Sequence, residues 1–268
     1  MNNNFEFVYC IDRKYNKQAF LSICSLFENC NIKNLSVNII HKTPLSFYRY
    51  RRKLKILFPE LNLKIIGFKF DIKGYPKLKN SHVSEATYYR IFIADHLPKN
   101  TNFIIYIDAD AFILNNPLPE IQNSITCMIK DEKYLGARTT DVFSKGESLD
   151  IFNRLNINDK YFNAGILIIN LNMWREKNIT NLLKEKVQKL EDKIVYWDQD
   201  VLNSLVNGEY FELSENLNFI QNLNHRETFY KSKIKIIHYV GSLKPWSKEG
   251  IKINPHTYYQ FLYKKYLN

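Results

Sequence analysis

Cysteine, glycine and proline are all scarce in this chain of 268 residues, which has four Cys, eight Gly and eight Pro. The cysteines Cys10, Cys24, Cys30 and Cys127 form no C-x-x-C pair, and a chain of this length needs no disulfide framework to hold a core. They read as reduced, cytosolic core thiols. Gly and Pro are too few and too scattered to mark a flexible linker, and no fixed-period repeat appears, so one continuous domain is expected. No stretch reaches the ~18 consecutive apolar residues of a membrane span. The opening MNNNFEFVYC lacks the basic start and long apolar run of a signal peptide, which predicts a cytoplasmic location. Carboxylates are outnumbered, 27 against 38 Lys and Arg, for a net charge of +11. That balance favours anionic partners: nucleic acid, phosphorylated substrates or an acidic membrane surface. No helix-turn-helix, zinc or aromatic RNA-binding signature accompanies the charge, so nucleic acid is not expected. With 45% hydrophobic and 24% charged residues, the composition is that of a globular protein.

What is present is an alternation of β-rich apolar runs with helix-period segments. FEFVYCI at 5–11 predicts a strand. Tyr15 to Glu28 follows as an amphipathic helix, with Ala19, Phe20, Ile23, Cys24 and Phe27 on one face. LSVNII at 35–40, LKIIGF at 63–68 and FIIYID at 103–108 predict further strands. Helices are expected between them over Pro44–Phe58 and over Ser84–Leu97, the latter capped by Ser84. The second half is less regular. It carries ITCMIK, YFNAGILIINL at 161–171, helices over Ile179–Leu190 and Asp198–Val206, a strand near 209–213, KIKIIHYV at 233–240, and a last helix from Pro255. Such alternation implies right-handed crossovers and an α/β, Rossmann-like fold with a mainly parallel sheet, whose ligands bind beyond the carboxyl ends of the strands.

The sharpest motif is FIIYIDADAF, an apolar strand running into Asp108-Ala109-Asp110. Residues i and i+2 of an extended chain point to one side, so two carboxylates converge where the strand ends. That pair suits Mg²⁺ or Mn²⁺, which take oxygen ligands and keep positions open for the oxygens of a diphosphate. A solvated acidic turn is an equally good account of the D-x-D alone. HYVGSLKPW, His238 to Trp246, ends another apolar run. A neutral imidazole there can supply a metal ligand, Gly241 can let backbone approach a phosphate and Lys244 can neutralise it, although a lone His after a strand is more often a satisfied core or surface residue.

Taken in order, these blocks resemble glycosyltransferase family 8, the retaining nucleotide-sugar transferases that include bacterial lipooligosaccharide galactosyltransferases and glycogenin. The resemblance covers about residues 5 to 246. It rests on Asp12-x-x-Tyr15, HVSEATYYRIFIADHLP, YIDAD, YFNAGILIINLNMW, WDQDVLN and HYVGSLKPW. It implies a single-domain nucleotide-diphospho-sugar transferase fold (GT-A type) with a mixed, mainly parallel sheet, a catalytic domain over 1–250 and a short basic, aromatic C-terminal helix over 251–268. It also implies that Asp108, Asp110 and His238 bind Mn²⁺ (or Mg²⁺) bridging the diphosphate of a UDP-sugar donor, with Ala109 between the two carboxylates. Gly241 and Lys244 would hold the diphosphate. Cys10 by its backbone, Asp12 and Tyr15 fall where the family holds uracil and ribose, while Arg90 and Asn163 match residues on the donor sugar. Asp198 and Gln199 match the pair beside the anomeric carbon, and Asp131 falls nearest a further sugar-binding aspartate, at a shorter spacing from Asp110 than in the family. The implied reaction moves galactose or glucose from a UDP-hexose, with retention, to a hydroxyl of a glycan or glycolipid acceptor. A bacterial lipopolysaccharide or lipooligosaccharide core is the first expectation, a protein-linked glycan the second.

Plainer roles exist for several of these residues. Asp12 suits the cap of the helix that follows, Asp198 the N-cap of the helix it opens, and Tyr161, Phe162 and Trp246 suit packing. A haloacid-dehalogenase-type phosphotransferase also ends an apolar strand in D-x-D, but at its first strand, whereas three strands precede Asp108 here. The stripe Phe47, Tyr50, Leu54, Leu57 and Phe58 fits a crossover helix packed on its sheet with its charges solvated. Together with the aromatic, basic HTYYQFLYKKYLN, it also fits peripheral contact at the inner face of the cytoplasmic membrane.

Overall fold

The alternation of side chains along the first strand organises two packed layers. In β1 (Phe5–Ile11) Phe7, Tyr9 and Ile11 enter one apolar core, while Val8 and Cys10 enter the other. The computed structural model describes residues 5–30, 35–76, 84–140, 145–158, 160–221, 223 and 233–268. His82 and Val83, which open the HVSEATYYRIFIADHLP block, lie outside them.

After β1 come α1 (Asn16–Asn29), β2 (Leu35–His41), α2 (Tyr48–Leu57) and β3 (Asn62–Gly67). Then follow α3 (Ile93–His96), β4 (Phe103–Ile107), β5 (Ala111–Ile113), α4 (Leu118–Lys130), β6 (Leu135–Thr139), α5 (Lys145–Leu155) and β7 (Phe162–Asn170). The chain closes through α6 (Leu171–Glu176), α7 (Ile179–Leu190), α8 (Trp197–Val206), β8 (Phe211–Glu212), β9 (Phe219–Gln221), β10 (Ile236–Tyr239), α9 (Lys248–Ile253) and α10 (Tyr258–Leu267).

The main sheet has the order β3-β2-β1-β4-β7-β6-β8. Its first four strands are parallel, as the alternation of strands and helices predicts. β7 runs antiparallel to both β4 and β6, so the sheet is mixed. This reversal matters for the site: with Ile107 opposite Ile166, the start of β7 lies beside the end of β4, and the Asp108 N–H donates to the Gly165 carbonyl at 2.8 Å. A smaller sheet, β5-β10-β9, stands next to it, with β10 antiparallel to β5 and parallel to β9.

Several elements depart from the periodicity. Residues 84–97 wind as a 3₁₀ segment over Glu85–Phe92 before the single turn of α3. Six of those eight residues are buried, so packing on all sides rather than one amphipathic face sets their winding. Ser84 does cap the segment, accepting from the Ala86 N–H at 3.2 Å. ITCMIK is the last part of α4, which turns Ile121, Ser124 and Met128 inward. The strands expected near 209–213 and 233–240 shrink to Phe211–Glu212 and Ile236–Tyr239. The last helix starts at Tyr258, capped by Thr257, and packs on α1 through buried Tyr259 and Leu262. In α2 the expected stripe buries Phe47, Tyr50 and Leu54, while Leu57 stays exposed.

Leu262 is fully buried, so Leu262→Ala should leave a cavity costing about 2–5 kcal/mol. Urea unfolding of the two proteins measures it, and a cost below about 1 kcal/mol would contradict the packing described.

Candidate functional site

The cleft opens where β1 and β4 end, as expected for an α/β sheet. Cys10, Ile11 and Tyr15 meet Ser84, Ala86, Thr87, Asp108, Ala109, Asp110 and Lys244 around a space of about 470 Å³. Six of the residues singled out from sequence are among these. Asp12, which follows Ile11 directly, accepts from the Lys14 N–H at 2.8 Å and caps the first turn after β1, so its plainer role is filled. Trp246 packs edge-on to Tyr15 at 6.2 Å and against Tyr259 at 5.1 Å, holding the Lys244 loop.

Asp108, Asp110 and His238 come together from β4 and β10 with ligand atoms within 4.8 Å of one another. His238 Nε2 lies 3.3 Å from Asp110 Oδ1 and 4.0 Å from Asp108 Oδ2. Lys244 Nζ donates to Asp110 Oδ2 at 2.7 Å and to the Tyr239 carbonyl at 2.6 Å. Loss of solvation pushes both carboxyls up. At Asp110 the charge of Lys244 opposes it, and the group is held well below the usual carboxylate range. At Asp108 burial prevails over Arg90, and its pKa is raised. The Tyr106 hydroxyl also donates to Asp108 Oδ1.

Two glycines make room for this arrangement. A Cβ at Gly165 would sit 2.1 Å from His238 Cε1, and one at Gly250 would sit 2.0 Å from the Lys244 carbonyl. Gly241 has open space around it but a φ of +80°, the turn conformation that leads β10 towards Lys244.

The donor set fits a divalent cation. The Gly165 N–H donates to Asn163 Oδ1 at 3.0 Å, Asn218 Nδ2 donates to the same oxygen at 3.0 Å, and Asn218 Oδ1 therefore faces His238 Nδ1 at 3.1 Å. A proton on Nδ1 completes that contact and leaves the Nε2 lone pair directed at two carboxylates. Two carboxylate oxygens with one imidazole nitrogen suit Mn²⁺ or Mg²⁺.

On the far side of Asp108 lies Arg90, buried, with its guanidinium 3.6 Å from Asp108 Oδ1, 4.5 Å from the Tyr106 ring centre and in contact with Asp198 Oδ2. Arg90 also donates to the carbonyls of Thr87 and Ala164. The Arg90–Asp198 contact is an ion pair without aligned hydrogen-bond geometry at Oδ2. Burial therefore outweighs Arg90, and the Asp198 carboxyl is pushed up to about 7. Asp198 lies in the first turn of α8; the N-cap position is Tyr196, not Asp198. Gln199 is held at both ends, its Oε1 by the Ala164 N–H at 2.9 Å and its Nε2 by the Tyr161 hydroxyl at 3.1 Å. Asn163 Nδ2 reaches the same Oε1 at 3.4 Å. Asp131 is exposed at the C-terminal cap of α4.

The residues that support this site were missed from sequence. Asp200, fully buried, accepts from Val195 N–H at 2.7 Å, Tyr196 N–H at 2.8 Å, Arg154 at 2.8 Å and the Tyr161 hydroxyl at 2.7 Å. It thereby braces Trp197, whose φ of +52° is strained for a bulky residue, directly before Asp198. Asp200 stands in WDQD, two residues from Asp198, but its neighbours Arg154 and Tyr161 come from α5 and the start of β7. Asn218 stands in no motif at all.

The raised Asp198 carboxyl carries a pH signature. In the folded chain it holds a proton up to about pH 7 that the unfolded chain releases near pH 4. Its contribution to stability is thus fully present below about pH 4 and lost as pH rises to about 7. Asp198→Asn is neutral throughout. In chelator and without nucleotide, the stability of the native protein relative to Asp198→Asn should therefore fall over that window by on the order of 1–4 kcal/mol, read from denaturant midpoints. Parallel stability curves would contradict the effect of burial.

A model of Glycosyl transferase family 8 matches residues 6–250. The chain is 26% identical over 268 residues to the lipopolysaccharide 1,3-galactosyltransferase of Salmonella typhimurium, spanning 92% of this chain and 74% of that protein. It is 27% identical over 257 residues to a lipopolysaccharide 1,2-glucosyltransferase of Escherichia coli, spanning 90% and 73%. Its fold matches the crystal structure of galactosyltransferase LgtC in complex with donor and acceptor sugar analogues, with a TM-score of 0.80, 21% identity, and 98% and 97% of the two chains covered. Among the described residues no helix is long and apolar enough to cross a membrane. The family match displaces the phosphotransferase reading of the D-x-D: this chain is a glycosyltransferase and belongs to glycosyl transferase family 8.

Proposed function

We propose that the enzyme transfers galactose or glucose from its UDP donor to a hydroxyl of a bacterial surface glycan, a lipopolysaccharide or lipooligosaccharide core. The anomeric configuration is retained, and Asp108, Asp110 and His238 hold Mn²⁺ or Mg²⁺. The observation that carries this reading is the Asp108–Asp110–His238 cluster, flanked by Lys244 on one side and by Arg90 with Asp198 on the other. The lipopolysaccharide transferases among its relatives support the acceptor class. The catalytic domain is taken as 1–250, with 251–268 as the closing helix.

The chemical difficulty is charge: an oxocarbenium-like sugar forms while a diphosphate leaves. Bound metal neutralises charge on that leaving group. Lys244 directs two of its three N–H groups to Asp110 and Tyr239, leaving one for a phosphate oxygen, and Gly241 allows the backbone close approach. Cys10, Asp12 and Tyr15 face the nucleoside, and Arg90 and Asn163 the donor sugar. Beside the anomeric carbon, Gln199 is an amide pinned at both ends, a poor base and a weak nucleophile. Asp198 is buried and turned to Arg90. Neither suits the base that an inverting reaction needs behind the sugar. The departing phosphate oxygen is then the group that takes the acceptor proton, on the face it leaves, which gives retention.

UDP release with Mn²⁺ and with excess EDTA tests the metal role, and Asp110→Asn should lower turnover at least about 100-fold while melting as a folded protein. Full activity in chelator would overturn the metal assignment. The anomeric proton of the product, read by NMR, should show an α linkage from an α-linked donor, and a β linkage would overturn retention.

The second partner in this reading is an anionic membrane surface. α2 exposes Arg49, Arg51, Arg52, Lys53 and Lys55 with no acidic residue among them, beside Leu45 at 87% and Ile56 at 74% exposure. Leu267 of α10 borders a groove lined by Arg49, Arg52, Lys53 and Ile56 of α2, and Lys53 Nζ donates to the Tyr266 carbonyl at 2.7 Å, joining the two helices into one face. Binding to anionic vesicles should fall about tenfold or more when salt is raised from roughly 0.05 to roughly 0.5 M, because exposed charges are screened over ~8 Å at physiological ionic strength. Equal binding to neutral vesicles would contradict it.

A further inference from the structure

Asn218 belongs to none of the sequence motifs, yet it is buried and joins the two halves of the cleft. It closes the 3₁₀ turn Glu215–Leu217 immediately before β9, the strand that pairs with His238's own strand. We propose that Asn218 is a positioning residue that fixes His238 in the Nδ1–H tautomer and so presents the Nε2 lone pair to the metal. This rests on the metal role proposed above.

The polarity of the hydrogen bonds around Asn218 is set by groups with no choice. A backbone N–H only donates, so the contact from Gly165 N–H makes the nearer side-chain atom of Asn163 its oxygen. That oxygen also faces Asn218 at 3.0 Å, so Asn218 presents its NH₂ there. The other end of the Asn218 amide, an oxygen, then faces His238 Nδ1 at 3.1 Å, and an acceptor facing a ring nitrogen requires the proton on that nitrogen. The same logic fixes Gln199, whose oxygen takes the Ala164 N–H. Two adjacent backbone N–H groups of β7, Ala164 and Gly165, therefore polarise both the amide beside the sugar and, through Asn163 and Asn218, the imidazole beside the diphosphate. Gly165 also holds the ring from below, where no Cβ fits. Fixing the tautomer of a ligating histidine through its second nitrogen is worth about 10–100-fold in metal affinity.

Two substitutions separate the links. Asn218→Leu removes the acceptor for Nδ1–H and should weaken Mn²⁺ binding about 10–100-fold, measured by calorimetry without nucleotide. Asn218→Asp keeps that acceptor but loses the donor to Asn163, so Mn²⁺ affinity should stay within about threefold while the KM for donor rises through a disordered Asn163. Nitrogen-15 NMR of histidine-labelled, metal-free native protein at about pH 8.5, above the ordinary histidine range, reads the tautomer directly, the His238 signals being identified by their loss in His238→Asn. A protonated Nδ1 with an unprotonated Nε2 is expected. A proton on Nε2 overturns the proposal, as does a folded Asn218→Leu that binds Mn²⁺ like the native protein. If Asn218→Leu does not fold, the tautomer decides. If the native protein binds no Mn²⁺ at all, the metal reading falls, while the tautomer still reports on Asn218.

Discussion

Two carboxylates, Asp108 and Asp110, are drawn together where β4 ends, and like charges placed this close in a partly desolvated cleft repel unless something opposes them. Much of the surrounding structure supplies that opposition. Lys244 reaches Asp110 from the loop after β10, 134 residues along the chain. Arg90 reaches Asp108 from the 3₁₀ segment. Arg90 and Lys244 are thus two permanent cations against the carboxyls of Asp108 and Asp110, with Asp198, whose own carboxyl is pushed up to about 7, beside Arg90. In the proposed reading a divalent cation held by Asp108, Asp110 and His238 would oppose the repulsion further and would meet the charge of a diphosphate. The +11 of the whole chain lies elsewhere, on surfaces such as α2.

The mixed sheet is what makes this convergence compatible with a folded core. Because β7 runs against β4, its first residues, and not its last, arrive at the ligand end of the sheet. Asn163, Ala164 and Gly165 are thereby placed between His238 and Gln199. A parallel β7 would bring Ile169 and Asn170 there instead. The smaller sheet secures the other side of the site. There β10 pairs with β5, directly after Asp110, so His238 is anchored in register opposite Ala111. Rigid strands on both sides limit the freedom of the ligating groups, which is how a site avoids reorganisation during reaction.

Backbone strain and a buried carboxyl pair mark the start of α8. Trp197 is held at positive φ by the bracing of Asp200, and Asp198 is kept next to Arg90 without an aligned hydrogen bond. Such conformations persist only where surrounding contacts over-determine them. Here those contacts come from Val195, Tyr196, Arg154 and Tyr161, and they place Asp198 and Gln199 relative to Arg90 and Ala164.

The pattern of residues alone determined the α/β class, the four parallel strands from β1 to β4, and the two strand ends that meet at the candidate site. The physical reason is local: strand periodicity, apolar runs and short spacings such as D-x-D act within a few residues and leave a direct signature. It also placed Cys10, Tyr15, Asp108, Asp110 and Lys244 in one cleft through the ordered blocks. Only the tertiary structure decided the direction of β7, the 3₁₀ winding of 85–92, the position of Asp131 on the surface, and the hydrogen-bond partners of Asn218 and Asp200. Each of these depends on which distant backbone groups a side chain meets, and hydrogen-bond polarity of that kind leaves no periodic trace along the chain.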